Sequence, residues 1–210
     1  MSYGKLYIIS APSGAGKTSL VRQLIAETNR LVVSISHTTR HIRPGEAHGT
    51  DYYFVSQDEF KSLINKGELL EHAQVFDNFY GTAKTTVETN LNQGLDVILE
   101  IDWQGAQQIR RIHPDCMSIF ILPPSTEVLE QRLKYRGQDD EQVIARRMRD
   151  AVTELRHHDE FDYLIVNDDF ARALIELKSI IIANRLSKLR QTENLRPLIA
   201  RLLSQTGNAP

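Results

Sequence analysis

Residues 11–18 read Ala-Pro-Ser-Gly-Ala-Gly-Lys-Thr and stand directly after the apolar run 6–10, Leu-Tyr-Ile-Ile-Ser. The residues that follow have the spacing of an amphipathic helix, so the order is strand, glycine-rich loop and helix. A glycine-rich sequence of this kind binds phosphate when a strand precedes it and a helix follows it. The sequence therefore predicts a site for a nucleoside triphosphate, whereas the alternative is a glycine-rich turn beside an ordinary surface lysine.

Each part of the loop has a chemical task in binding phosphate. Gly14 and Gly16 permit a tight turn that points successive backbone N–H groups at phosphate oxygens. Lys17 reaches the β- and γ-phosphates, and the Thr18 hydroxyl is a ligand for Mg²⁺. Ala11 departs from the usual first glycine, which is compatible with a residue that is still leaving the strand. The ATP-binding residues expected in the loop are Ala11, Pro12, Ser13, Gly14, Ala15, Gly16, Lys17 and Thr18.

Length and composition indicate a globular protein with a real hydrophobic core. The chain has 210 residues, of which 41% are hydrophobic, and this suits one domain or a core domain with an insertion. Its 25 Lys and Arg residues are offset by 27 Asp and Glu residues, so no nucleic-acid partner is expected. No apolar stretch approaches the roughly 20 residues that cross a bilayer, and residues 1–5 contain no secretory apolar segment. We therefore expect no membrane partner and a cytoplasmic location.

Cys116, the single cysteine, cannot form an intrachain disulfide, and its apolar neighbours indicate a buried side chain.

Five runs rich in branched apolar residues predict the strands of the core, at residues 6–10, 31–36, 97–101, 117–122 and 163–166. Helical patterns lie between most of these runs. This alternation is typical of a parallel sheet covered on both faces by helices, so the predicted fold class is α/β.

The segment 37–92 interrupts that alternation and predicts an inserted α+β lobe beside the phosphate loop. Ser56 and Glu59 have the spacing of a helix capping box. The predicted elements of the lobe are a polar opening at 40–51, a strand at 52–55, a helix at 60–64, an extended stretch at 69–80 and a helix at 85–91.

Two further segments are predicted to be helical. Region 125–160 is crowded with basic residues, which usually mark a solvated helix face. They are Arg132, Lys134, Arg136, Arg146, Arg147 and Arg149. In the tail, Pro197 is a suitable first residue for a helix. Four apolar residues then fall on one face, and either docking on the core or contact between subunits would account for them. They are Leu198, Ile199, Leu202 and Leu203.

The lobe carries residues suited to a second substrate that bears a phosphate. Arg40 and Arg43 stand three residues apart, just after the predicted strand 31–36. Each guanidinium is a planar fork that fits a phosphate group. Tyr52 and Tyr80 add phenol hydroxyls within the same lobe. Together these side chains favour a nucleoside monophosphate.

Glu71 is the residue of the lobe that could distinguish between bases. An ionised carboxylate only accepts hydrogen bonds, and guanine presents N1–H and its 2-amino group side by side, whereas adenine has no N1–H. The hydroxyls of Ser36 and Thr82 suit the O6 and N7 edge of guanine. The alternative for Glu71 is an exposed residue on a strand.

Glu100 and Asp102 follow the apolar run 97–99, and ligands gather at the carboxyl ends of strands in a parallel sheet. These carboxylates are candidates for water-mediated Mg²⁺ binding and for orienting the arginines of the lobe. The alternative is that they only solubilise the end of a strand.

Taken together, the motifs closely resemble those of the guanylate kinases over about residues 4–186. The resemblance rests on the phosphate loop, Ser-x-Thr-Thr-Arg-x-x-Arg at 36–43, Gly-x-Asp-Tyr-x-Phe at 49–54, Glu71, Tyr80-Gly81, Glu100-Ile101-Asp102, the basic region 125–160 and Val-Asn-Asp-Asp at 166–169. It implies a phosphate-loop kinase core at 1–36, 93–124 and 161–186, a GMP-binding lobe at 37–92, a helical lid at 125–160 and a tail at 187–210.

The resemblance also implies roles for individual residues. The residues expected to bind GMP are Ser36, Arg40, Arg43, Tyr52, Glu71, Tyr80, Thr82 and Asp102. Those expected to act in catalysis are Lys17, Arg40, Arg43, Arg136 and Arg147. Asn167 would lie near the adenine or ribose of ATP, with a plain loop asparagine as the alternative, and Thr18 with Glu100, the latter through water, would hold Mg²⁺.

Three positions depart from the family's usual residues. Thr82 stands where some members have Ser, which keeps the hydroxyl, and His41-Ile42 replaces the Thr-Pro often found between the two arginines. Glu100 stands where many members have Asp, which changes the reach of the carboxylate toward a metal-bound water.

The activity implied by the resemblance is Mg²⁺-dependent phosphoryl transfer from ATP to GMP, or to dGMP, with a possible homo-oligomer formed through the tail. One rival is a guanylate-kinase-like module that binds a phosphorylated peptide, and the intact Lys17, Thr18 and arginine set speak against it. A second rival is a kinase of sugar phosphates, and Glu71 speaks against it because a sugar has no purine edge to recognise.

Overall fold

The computed structural model of the chain describes residues 3–75, 77–135 and 141–204. Its strands are β1 (Leu6–Ser10), β2 (Leu31–Val33), β3 (His37–Thr38), β4 (Tyr53–Phe54), β5 (Leu69–Val75), β6 (Asn78–Ala83), β7 (Asp96–Glu100), β8 (Met117–Leu122) and β9 (Tyr163–Val166). Its α-helices are α1 (Lys17–Glu27), α2 (Gln57–Asn65), α3 (Lys84–Asn92), α4 (Trp103–Ile112), α5 (Thr126–Tyr135), α6 (Glu141–Leu155), α7 (Phe170–Arg185) and α8 (Lys188–Ser204). None of the described helices is long and apolar enough to cross a membrane.

A five-stranded parallel sheet in the order β2-β7-β1-β8-β9 forms the core, and this confirms the predicted α/β class. The central strands are apolar on both faces because helices cover both sides. On one side, Tyr7 and Ile9 of β1 pack with α1 and α7. On the other side, Leu6 and Ile8 pack with α3 and α4. Cys116 is buried beside this second cluster, as predicted.

The predicted strand 31–36 is shorter in the structure. β2 ends at Val33, and the Ser34 N–H makes one more hydrogen bond to the Ile98 carbonyl at 2.9 Å. The chain then leaves the core, and β3 joins a different sheet by pairing with β4 and β6. A branched apolar run does not reveal to which sheet its last residues belong, because that depends on a distant partner.

The inserted segment forms a four-stranded sheet in the order β4-β3-β6-β5, with α2 and α3 beside it. The capping box of α2 is confirmed, since the Glu59 N–H donates to the Ser56 side chain at 3.2 Å and the Glu59 carboxylate accepts from the Ser56 N–H at 2.7 Å. The single extended stretch predicted at 69–80 is wrong in detail: it comprises β5 and the first half of β6, two antiparallel strands in which Glu71 lies opposite Thr82.

The predicted start of the tail helix at Pro197 is wrong. α8 begins at Lys188 and runs through Pro197, which removes one backbone hydrogen bond from the helix interior. The apolar side chains that follow are 42–69% exposed, so they are not docked on the described core. The subunit contact proposed for them stays a prediction.

Candidate functional site

The phosphate loop is a turn in which two glycines adopt a conformation that other residues avoid. Gly14 and Gly16 both have a φ of 93°, in the left-handed region. The Ala15 N–H donates to the Pro12 carbonyl at 3.0 Å and closes the turn, and Gly16 precedes the first residue of α1, Lys17. The loop therefore leads directly into the N-terminus of a helix, and such a position suits an anion.

A buried network supports the loop from behind. The Asn167 side-chain amide donates to the Ala15 carbonyl at 2.7 Å, and Arg132 donates to the carbonyls of Ala15 and Asn167 at 3.3 and 3.0 Å. Ala15 is fully buried, so this member of the loop faces the protein. The expectation that Arg132 belongs to a solvated face is therefore wrong. The amide nitrogen of Asn167 is hydrogen-bonded to the loop itself, which is a structural role. A contact between Asn167 and ATP stays a prediction.

Two carboxylates stand at the carboxyl end of β7. Glu100 accepts a hydrogen bond from the Thr18 hydroxyl at 3.1 Å. Asp102 is the N-cap of α4, where it accepts from the Gly105 N–H at 3.0 Å. Both carboxylates line the same cavity as the phosphate loop, and their role in Mg²⁺ binding stays a prediction.

Glu71 is held at the wall of this cavity, and the alternative of an exposed strand residue is wrong. It is only 3% exposed, and the Thr82 hydroxyl donates to its Oε1 at 2.6 Å. The Ser36 hydroxyl lies 3.5 Å from that of Thr82. Burial raises the pKa of Glu71 to about 7, against the opposing effect of the Thr82 hydrogen bond. Because Thr82 has a single hydroxyl proton and commits it to Glu71, it orients the carboxylate.

The predicted phosphate-binding arginines are held in place by Glu46, which is not among the predicted site residues. Glu46 accepts from the Arg40 guanidinium at 2.7 Å and from the Arg43 backbone N–H at 2.9 Å. The Arg40 guanidinium also lies 5.3 Å from the centre of the Tyr52 ring, and Tyr80 packs edge-on against that ring. The spacing Arg-x-x-Arg-x-x-Glu was the available signal, since opposite charges three and six residues apart meet in a tight loop.

A single cavity of about 910 Å³ brings these groups together between the loop, the inserted sheet and α6. Most of the predicted site residues line it, namely Ala11, Pro12, Ser13, Gly14, Gly16, Lys17, Thr18, Ser36, Arg40, Arg43, Tyr52, Glu71, Tyr80, Glu100, Asp102 and Arg147. Thr82, Ala15 and Asn167 are buried directly behind it. Arg136 lies outside the described residues.

Comparison with known proteins shows the family to which this chain belongs. A sequence model described as guanylate kinase matches residues 3–184. The chain belongs to the guanylate kinase family. It is 59% identical to a guanylate kinase of Methylococcus capsulatus over 203 residues, which cover 97% of this chain and 100% of that protein. It is 56% identical to a guanylate kinase of Salmonella typhimurium, again over 97% of this chain and 100% of the relative. The crystal structure of guanylate kinase from Anaplasma phagocytophilum matches with a TM-score of 0.76 and 35% identity, covering 90% of each chain.

In this guanylate kinase family member, the basic side of α6 meets the inserted sheet across the cavity. The Arg146 guanidinium donates to both carboxylate oxygens of Asp77, at 3.2 and 3.3 Å. Burial and the guanidinium groups of Arg40 and Arg147 lower the pKa of Arg43. Arg147 of α6 therefore adds its positive charge to those of Arg40 and Arg43 in the inserted lobe, and all three line the cavity.

Sequence reasoning missed Glu154, which α6 carries to the phosphate loop. Its Oε2 accepts the Ser13 N–H at 3.2 Å, and burial raises its pKa to about 7 while Lys17 opposes the rise. The two residues are 141 positions apart. No local pattern points to such a contact.

Proposed function

We propose that this guanylate kinase family member transfers the γ-phosphoryl group of ATP to GMP, and also to dGMP, giving ADP and GDP. The observation that carries the proposal is the buried Glu71 carboxylate, which shares one cavity with the phosphate loop. The Glu71 carboxylate can accept hydrogen bonds from a base on one wall, and the phosphate loop can bind a triphosphate on the other. A cavity of this kind suits two nucleotides, one of which transfers a phosphoryl group to the other.

Guanine recognition is assigned to Glu71 with Ser36 and Thr82. The ionised carboxylate accepts from N1–H and the 2-amino group, and these two donors offset the burial that otherwise raises the pKa of Glu71. Thr82 keeps the carboxylate in place from behind. Adenine would meet the same carboxylate with an acceptor at N1, so AMP is rejected.

The phosphate of GMP is assigned to Arg40, Arg43, Tyr52 and Tyr80, with Asp102 nearby on the cavity wall. A phosphate monoester has its second pKa near 6, so the acceptor is already a nucleophilic dianion at neutral pH. No general base is needed for that reason. The chain has only to align this oxygen with the γ-phosphorus and to neutralise charge.

On the donor side, ATP would lie on the loop residues 11–18 with Asn167 behind them. Lys17, Arg147 and Arg136 would neutralise the transferring group. The hydroxyl and carboxylate oxygens of Thr18 and Glu100 are the ligand types that Mg²⁺ prefers, and they stand 3.1 Å apart, so this pair fits the metal. When bound, Mg²⁺ would offset the negative charge of the phosphates.

Two features separate the proposal from its rivals. A module that only binds a phosphorylated peptide does not need the pair of Thr18 and Glu100, because that pair is suited to the Mg²⁺ that accompanies ATP. A kinase of sugar phosphates has no use for a buried carboxylate oriented by a hydroxyl. We further expect the enzyme to act on these small molecules in the cytoplasm, without nucleic acid or membrane partners, and the homo-oligomer through α8 remains part of the proposal.

The decisive experiment measures ADP production from ATP with GMP, dGMP, AMP, UMP and ribose 5-phosphate in parallel. Only GMP and dGMP are expected to support turnover. The variant Glu71→Gln places an NH₂ donor opposite the donors of guanine, so kcat/KM for GMP should fall by roughly 10² or more while the KM for ATP is unchanged.

The matched control is Glu68→Gln, which changes an exposed glutamate three residues earlier in the same lobe. It should behave as the wild type does. Lys17→Ala should lose about 10² or more in rate with every acceptor. Equal activity of Glu71→Gln and the wild type toward GMP would refute the assignment of Glu71, and turnover with ribose 5-phosphate alone would favour the sugar-phosphate rival.

A further inference from the structure

Gly105 occupies an unexpected place in the first turn of α4. It follows the N-cap residue Asp102 by three positions, and it does not have a positive φ. Glycine is a poor helix former compared with alanine. The backbone conformation therefore does not explain why this position has no side chain.

The close approach of Glu71 does explain it. A Cβ atom at Gly105 would lie 2.5 Å from Oε2 of Glu71 and 3.2 Å from its carboxyl carbon. The other oxygen, Oε1, accepts the Thr82 hydroxyl at 2.6 Å. The carboxylate is thus held between the hydroxyl of β6 and the bare α-carbon of α4.

We propose that Gly105 is a positioning residue for guanine recognition, because the space left by its missing side chain is where the Glu71 carboxylate lies. The inference rests on the proposed function, in which Glu71 accepts the two donors of guanine. A Cβ atom at Gly105 would also lie 3.3 Å from Cβ of Ile101, which is a tight contact. The shortest contact is with the end of the flexible Glu71 side chain, so the carboxylate is the group that we expect to move.

The first test is Gly105→Ala. The KM for GMP should rise about tenfold or more, while kcat falls less than about threefold and the KM for ATP stays constant. The preference for GMP over IMP, which lacks the 2-amino group, should shrink as the carboxylate leaves its place. The melting temperature should hold or rise because alanine favours the helix. Arg111→Ala, an exposed change on the same helix, should leave all these quantities unchanged.

A double variant tests whether the two positions act through each other. Glu71→Asp shortens the side chain by one methylene and makes room for the added methyl group. The KM for GMP of Gly105→Ala/Glu71→Asp should therefore equal that of Glu71→Asp alone, which is strong non-additivity.

The outcomes separate this inference from the proposed function. If Glu71→Gln loses GMP activity while Gly105→Ala retains the wild-type KM and base preference, the role of Gly105 is refuted and the proposed function stands. If Gly105→Ala instead lowers the melting temperature and impairs GMP and IMP equally, glycine is needed only for packing. If neither Glu71→Gln nor Gly105→Ala affects GMP, the assignment of Glu71 falls and the role of Gly105 falls with it.

Discussion

At the residue scale, the buried carboxylate of Glu71 and the half-buried carboxylate of Glu154 both interact with Lys17 of the phosphate loop. Glu71 approaches from the inserted sheet and Glu154 from α6, and Lys17 lowers the pKa of each against a larger effect of burial. Glu154 accepts the Ser13 N–H, so it holds a loop amide of the kind that binds phosphate. Each negative charge costs free energy in the folded protein because the site removes much of its hydration.

This cost predicts how stability depends on pH. Burial raises the pKa of Glu154 from 4.5 to about 7, so between these values the folded chain holds a proton that the unfolded chain has released. The contribution of Glu154 to the free energy of unfolding therefore falls as pH rises through that window. Glu154→Gln keeps an oxygen acceptor for Ser13 without the charge. It should be more stable than the wild type at pH 8, by on the order of 1–3 kcal/mol, and similar to it at pH 4.5.

Urea unfolding of both proteins at several pH values measures this difference. Glu88→Gln, which alters an exposed pair with Lys84 outside the cavity lining, is the control and should not show this dependence between pH 4.5 and pH 8. A stability difference between Glu154→Gln and the wild type that is the same at pH 4.5 and pH 8 would contradict the interpretation.

At the element scale, Asp96 ties two helices to the start of the central sheet. This buried first residue of β7 accepts from the Arg185 and Arg190 guanidiniums at 2.8 and 2.9 Å, and from the Lys5 backbone N–H at 2.8 Å. The arginines belong to the end of α7 and the first turn of α8. One carboxylate therefore fixes the junction of both helices.

Asp96→Ala should destabilise the protein by about 3 kcal/mol or more. The reason is that the half-buried guanidinium groups of Arg185 and Arg190 would lose the carboxylate that pairs with both. Lys5→Ala removes a pair with Asp115 at 3.5 Å that is exposed on the Asp115 side, and it should cost only about 1 kcal/mol. Chemical denaturation gives both values. Since Asp96 and Glu100 lie at opposite ends of β7, kcat of Asp96→Ala at low temperature should be near that of the wild type, and a large loss there would show that the junction also shapes the site.

At the scale of the whole molecule, the proposed function requires α6 to meet the inserted lobe across the cavity. Arg147 lines the cavity and acts on Arg43, whereas Arg149 on the same helix is exposed and does not line it. Two residues along a helix rotate a side chain by about 200°, so the two arginines point apart. The Arg146 and Asp77 pair joins the same two parts of the chain.

Arg147→Met should therefore lower kcat by roughly 10² with a smaller effect on either KM, because in the proposed function the charge of Arg147 neutralises the transferring group. Arg149→Met should change kcat little. Steady-state kinetics of both variants with ATP and GMP separates the two roles. Equal, small effects would mean that the basic residues of α6 are only a solvated face. Arg136 lies outside the described residues, and its part in catalysis stays a prediction.

The sequence by itself determined those features that depend on neighbours along the chain. The phosphate loop needs glycine at two positions with left-handed φ, and the capping box needs Ser56 and Glu59 three residues apart. The strands β1 and β8 matched their predicted bounds because burial on both faces makes each a continuous apolar run. The bounds of the edge strand β9 also matched, although Ile165 is its only buried residue. Of these features, the phosphate loop was also one of the motifs that carried the family resemblance.

Only the tertiary structure decided what depends on distant partners. It showed that β2 ends at Val33, that Arg132 supports the loop, that Glu154 accepts from Ser13 and that Gly105 makes room for Glu71. It also carried α8 through Pro197, where local preference predicts a helix start. The physical reason is common to these cases. Hydrogen bonding and burial across many residues of separation depend on how sheets and helices pack, and that information is not contained in any short stretch of sequence.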